Sequence, residues 1–293
     1  MTESYTFALP YFLKIKVIMA WFIDLGANWA NTLTLYENFR SPLHPFWTTV
    51  AFEASPLVQP FLRDYCAFLN GERNKEPENC LPRSGSTSHL LKYAKKYGCP
   101  NSKDAGRECM WNCLNFHLEA LKPDPSLNSS ELIDRALQTA LLPATSRDLY
   151  IAVPAAVSDS KGWTIIYENP KQLIRGGAIP SMQANFQAKR VHTVDVAEWL
   201  LALPPDAHVF LKMDIEGAEH KLVKRMNSIG SYRRINMVSI ECHGSRKSCI
   251  HTMQIIRSWN VTVIEEKEHG GMDSRTISHL NVPIEPKCQC RQK

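Results

Sequence analysis

The segment Val209-Phe-Leu-Lys-Met-Asp-Ile-Glu-Gly-Ala-Glu-His220 constrains the fold more than any other stretch of the chain. An apolar run broken by one Lys leads into Asp214, and an acidic turn with a single Gly follows. Ala218, Leu222, Val223 and Met226 then recur at helical spacing. This order predicts a buried strand, a turn carrying Asp214 and Glu216, and an amphipathic helix. In an open parallel α/β sheet, ligands bind beyond the carboxyl ends of the strands. Asp214 and Glu216 are therefore expected at the ligand edge, where acids destabilise a fold unless they have partners or a task.

A second strand–turn–helix lies upstream, from Trp21 to Leu35. Asp24 and Gly26 end its apolar strand. Gly26 would let the backbone turn tightly and approach a ligand with no Cβ in the way. Asn28 is expected as a donor or cap in the turn, and Ala30 is small enough for the helix to pack closely on the strand. The next apolar stretch, Thr49 to Ser55, contains Glu53. An acid at the end of a second strand suits a ribose diol, because a carboxylate accepts from both hydroxyls.

These segments, in this order, resemble the FkbM family of S-adenosylmethionine-dependent methyltransferases. Asp24-Leu-Gly-Ala-Asn28 is similar to its first cofactor motif and Phe52-Glu53 to its ribose-binding acid. Val153-Pro-Ala-Ala-Val-Ser-Asp159 resembles the stretch that borders the adenine, which implies cofactor contacts for Ala156 and Val157. Thr193-Val-Asp195 with Trp199-Leu200, Leu211 to Glu219, and Ser239-Ile-Glu-Cys-His243 resemble the segments before, at and after the fourth strand. The family usually has Gly where this chain has Ala30, with Trp29 before it. The resemblance implies an α/β, Rossmann-like class I sheet, mostly parallel and of about seven strands. It also implies S-adenosyl-L-methionine as cofactor.

The 293 residues are read as one methyltransferase domain, and 44% of them are hydrophobic, as in globular proteins. More than ninety residues separate the second and third strands, more than a crossover needs. Residues 66–147 are therefore read as a helical, cysteine-containing insertion. Helices are expected over Ser88–Tyr97, Glu108–Leu121 and Ser130–Leu141, the last capped by Ser130. Cys109, Cys113 and His117 could share one helix face, and with Cys99 or Cys80 they could hold a structural zinc. Disulfides or buried thiols fit the same residues.

The net charge of +5 is too small to imply nucleic-acid binding. Basic residues nevertheless crowd the stretch from Lys221 to Arg257, against Glu241 alone. That stretch reads as a solvated face, or as a field that steers an acidic acceptor such as a uronate, sulfated glycan or phosphorylated group. No segment reads as a membrane span, because the longest uncharged run before Asp24, Ser4 to Leu13, is far below roughly 20 residues. Nine cysteines do not separate a reducing from an oxidising compartment. Cys242 reads as a buried small hydrophobe. Localisation stays open: a complete chain fits the cytoplasm, and a missing leader or anchor would fit the secretory lumen.

The expected chemistry is methyl transfer to a hydroxyl or carboxyl oxygen of a small molecule or glycan. Donor and acceptor must be held in line, and an alcohol must lose its proton to a nearby group. Asp214, Glu216 and His243 are the candidates, with His243 the natural base at neutral pH. Asp214 could equally hold the methionine amino group. The trio could take a metal, but the sequence does not require one and none is assigned. Two other classes stay open. A nicotinamide dehydrogenase would use a similar first turn, although Asn28 occupies its second Gly position. A non-catalytic scaffold in trafficking or adhesion would explain Trp29 and Ala30, but not Glu53, Asp214 and Glu216 together.

Overall fold

The computed structural model describes residues 19–28, 30, 32–33, 35–77, 124–168 and 187–265. The expected helices Ser88–Tyr97 and Glu108–Leu121, the cluster Cys80, Cys99, Cys109, Cys113 and His117, and Trp29 lie outside the described residues.

Six strands form the main sheet: β1 (Ala20–Leu25), β2 (Trp47–Phe52), β3 (Leu149–Val153), β7 (His208–Met213), β8 (Met237–Ile240) and β9 (Thr262–Glu265), in the order β3-β2-β1-β7-β8-β9. Every pairing is parallel. This is the expected Rossmann-like α/β fold. A second, three-stranded sheet is built from β4 (Ala156–Ser158), β5 (Gly162–Glu168) and β6 (Gln187–Asp195), in the order β4-β6-β5. Five helices accompany the sheets among the described residues: α1 (Gln59–Leu69), α2 (Ser130–Thr139), α3 (Val196–Leu201), α4 (Glu219–Ile229) and α5 (Arg246–Arg257).

The unbroken apolar runs reflect burial on both faces, as a covered parallel sheet requires. All six residues of β1 are buried. Trp21, Ile23 and Leu25 join Leu222, Val223 and Met226 of α4 in the largest core cluster. Phe22 faces the other way, against Tyr36 and Phe210, with ring centroids 5.4 and 5.1 Å away. Helix α1 packs on β3 through a third cluster that includes Phe61, Leu62 and Tyr65.

Three expectations from the sequence need adjustment. Residues 66–69 belong to α1, and Ile133 and Ala140 in and after α2 enter the main core, so both flanks of the 66–147 segment pack on the sheet. Helix α2 is capped by Ser129, not Ser130: Ser129 has extended backbone angles, and its Oγ accepts from the Leu132 N–H at 3.2 Å. Cys242 is no isolated hydrophobe. It lies two residues beyond β8 and forms a disulfide with Cys249 in the first turn of α5.

The chain builds outward from β1 to β3 on one side and from β7 to β9 on the other, which puts the topological switch between β1 and β7. Leu25 is in register with both Phe52 and Met213. The residues that follow continue the zipper. Gly26 N–H donates to Phe52 O, Asp214 N–H to Leu25 O, and Glu241 N–H to Met213 O. Gly26, Glu53, Asp214 and Glu241 thus stand along one edge.

Candidate functional site

A cavity of about 570 Å³ opens on this edge, within the range usual for small-molecule sites. Gly26, Asn28, Glu53, Ala156, Val157, Asp214, Glu216 and His243 all line it. One expected site residue does not. Asp24 is fully buried; Thr32 Oγ1 donates to its Oδ2 at 2.6 Å, and Lys212 Nζ is 3.2 Å from its Oδ1. Its carboxylate braces the turn from inside the sheet.

One half of the cavity is shaped by the turn after β1. Gly26 has φ +85°, and a Cβ there would collide with the Asp214 carbonyl oxygen, so only Gly allows the two strand ends to meet. Asn28 and Ala30 also adopt left-handed backbone, at φ 47° and 62°. Such angles are strained for residues with a Cβ and occur where surrounding structure enforces them. Glu53 is what enforces the first: its Oε2 accepts the Asn28 N–H at 2.8 Å, and its Oε1 accepts the Ser55 N–H at 2.7 Å. Each oxygen keeps a second lone pair. Burial, and next to it the charge of Glu168, lift the Glu53 pKa to about 7 against the two backbone hydrogen bonds.

Lys212, the one charge inside the fourth apolar run, ties this half to the other. Its buried Nζ donates to Gly26 O at 3.0 Å and to Asp214 Oδ2 at 3.4 Å. Sequence reasoning passed it over as an interruption, although a lysine in a doubly buried strand requires acidic partners.

The second half of the cavity is acidic. The turn Glu216-Gly217 is left-handed at both residues, φ 53° and 102°. Glu219 was not singled out from the sequence, yet it organises this end. It is fully buried, accepts the Ile215 and Gly217 N–H groups at 2.9 and 2.8 Å, and bonds His243 Nδ1 at 3.0 Å. Its sequence signals are its place at the end of the Leu211–Glu219 segment and at the first position of an amphipathic helix. Across the gap, His243 Nε2 is 3.9 Å from Asp214 Oδ1, 3.6 Å from Glu216 Oε2 and 3.7 Å from Glu241 Oε1. The hydrogen bond to Glu219 and the surrounding carboxylates raise the His243 pKa to about 9, against desolvation. Burial also raises Glu216 above the usual carboxylate range.

His220 lines the cavity too, held by His243 O at 2.6 Å and Thr252 Oγ1 at 2.7 Å. Of the basic stretch, Lys221 reaches the cavity wall, whereas Arg225 is committed to Asp195 at 2.9 Å and Arg233 lies over Tyr232.

A doubly wound sheet, a Gly turn at the switch point, a buried acid beside it and a polar far end in the same cavity fit a Rossmann-like enzyme with a nucleotide cofactor. The methyltransferase FkbM domain matches residues 50–263, and the chain belongs to the FkbM methyltransferase family. The match begins inside β2, so the Asp24–Asn28 turn precedes it. No curated protein and no solved structure matches the chain.

Proposed function

We propose that this chain moves a methyl group from S-adenosylmethionine to a hydroxyl or carboxyl oxygen of a small molecule or glycan. One observation carries the reading: Glu53, buried at the end of β2, lines the cavity with one free lone pair on each oxygen while its other lone pairs accept the Asn28 and Ser55 N–H groups. That donor set fits a ribose diol. Ala156, Val157 and the residues Thr164–Ile166 supply an apolar wall suited to a flat base. Gly26 and Asn28 close the same end.

The cofactor would supply a methyl carbon already activated by a sulfonium, so the protein's task is alignment. Asp214, Glu216 and His243 form the acceptor edge, where they orient the acceptor oxygen and take up the proton that an alcohol loses.

The test is a calorimetric titration with S-adenosylhomocysteine, run in parallel with a nicotinamide dinucleotide. The expected result is saturable binding of the first alone. Glu53→Ala should weaken it by about 1.5–3 kcal/mol, the scale of a hydrogen bond to a charged group. Equal affinity of Glu53→Ala and wild type would remove the ribose assignment.

A further inference from the structure

We propose that Asp214, Glu216 and His243 bind one divalent metal cation, with Glu241 as an auxiliary carboxylate. This rests on reading the edge as the acceptor side, and it adds what that edge holds.

The first ground is geometric. Asp214, Glu216 and His243 each direct one ligand atom into a common space, and these atoms lie within 4.8 Å of one another. His243 Nε2 stands 3.6 Å from Glu216 Oε2 and 3.9 Å from Asp214 Oδ1. These gaps are too long for hydrogen bonds. They fall between the two separations that ligands take around a six-coordinate ion with bonds of about 2.1 Å, about 3.0 Å for neighbours and about 4.2 Å for opposite ligands. An ion placed among the three atoms would bring all of them into bonding distance with small side-chain rotations. Three protein ligands leave positions open for water or an acceptor oxygen.

The second ground is independent of the acids at the gap. His243 comes from the loop after β8, and its orientation is set from behind by Glu219 on α4. Nδ1 bonds the buried Glu219 carboxylate at 3.0 Å, and that carboxylate is itself fixed by two backbone N–H groups. Nδ1 is thereby the donor, and the other ring nitrogen points into the gap. A carboxylate behind a histidine whose far nitrogen faces other ligands is the usual support of a metal-bound imidazole. Asp214 is divided in the same way: Lys212 takes Oδ2 at 3.4 Å, and Oδ1 faces His243.

The third ground is chemical. An acceptor oxygen that develops negative charge would be repelled by an edge bearing Asp214, Glu216 and Glu241. A dication reverses the sign of the field at that point and lowers the pKa of an oxygen bound to it. The mixture of carboxylates with one imidazole suits a first-row ion such as Mn²⁺.

The experiment titrates Mn²⁺ into the full chain, following the electron paramagnetic resonance signal of the free ion, with and without S-adenosylhomocysteine. One ion should bind per chain. Asp214→Asn and His243→Ala should abolish or strongly weaken binding, and Glu219→Gln should weaken it roughly ten- to hundredfold. An unchanged far-ultraviolet circular dichroism spectrum and urea midpoint show that each variant is folded. A spin-echo spectrum of the wild type needs no variant, and it should show one imidazole nitrogen coupled to the bound Mn²⁺. Absence of saturable binding up to about a millimolar, the weak end of protein cation sites, overturns the proposal. So does bound Mn²⁺ without nitrogen coupling, or binding indifferent to both ligand substitutions. If S-adenosylhomocysteine binds and Mn²⁺ does not, the cation site falls and the methyltransferase reading stands. If Mn²⁺ binds at these residues and S-adenosylhomocysteine does not bind at all, the donor is wrong and the cation site stands.

Discussion

Replacing Glu53 by Gln removes a charge from the interior while keeping the side chain's shape. The Glu53 pKa moves from an ordinary 4.5 to about 7, chiefly through burial. A folded-state pKa above the unfolded one makes this group a stabilising contribution below pH 4.5. That contribution disappears as pH rises through 7. Each pKa unit is worth about 1.36 kcal/mol, so the ionised carboxylate destabilises the folded chain by about 3 kcal/mol once the pH is well above 7. The amide also mismatches one backbone donor, since Asn28 and Ser55 both present N–H groups. That loss, about 1–3 kcal/mol, changes little with pH. The quantity to measure is therefore the stability difference between Glu53→Gln and wild type, from urea unfolding followed by tryptophan fluorescence, at pH values from 4.5 to 8.5. The difference should shift in favour of the variant by about 3 kcal/mol across that range. A difference that stays constant would show that Glu53 is not held in the buried, charge-averse position described here. Repeating the series with saturating S-adenosylhomocysteine should shrink the shift, because ribose hydroxyls hydrogen-bond the charged form.

Gly26→Ala should destabilise the fold by about 3 kcal/mol or more, since it combines a left-handed φ with a collision against backbone; an unchanged melting temperature would refute this. Lys212→Met should lower stability by about 3–5 kcal/mol by stranding buried Asp24, and adding Asp24→Asn should recover part of it in the same urea assay. On a verified acceptor, His243→Ala and Asp214→Asn should each lower kcat by about a hundred- to ten-thousandfold with cofactor affinity near wild type, and turnover close to wild type in both would place the acceptor edge elsewhere. Cys249→Ser should cost about 2–3 kcal/mol, the loop-closure value for so short a bridge, and adding reductant to the wild type should reproduce the loss.

The strands that matter were legible because each is buried on both faces. The runs ending at Leu25, Phe52, Met213 and Ile240 are apolar for that reason, and they stop where the cavity begins. Gly26 and Glu53 were legible because a tight turn and a ribose impose narrow demands on residue type. What escaped depends on partners far apart in sequence. Nothing local reveals that Asp24 turns inward, because Lys212 lies 188 residues away on the neighbouring strand. His243 has an ordinary pKa until Glu219 is placed behind it. Cys242 finds Cys249 only because the chain folds back into α5 immediately after the loop.

The meeting of Gly26 with the Asp214 carbonyl has a consequence for adaptability. The two turns that frame the cavity are in backbone contact, and Lys212 pins them together from below. Neither turn can shift without the other, and no larger residue can be admitted between them. The floor of the cavity behaves like a fixed anvil, with the distance between its two ends set once by strand register. A chain of this design cannot be retuned to a longer or shorter partner molecule by adjusting its floor. Selectivity has to be written into the walls, and a substitution at Gly26 or Lys212 should damage recognition of both reactants together, never of one alone.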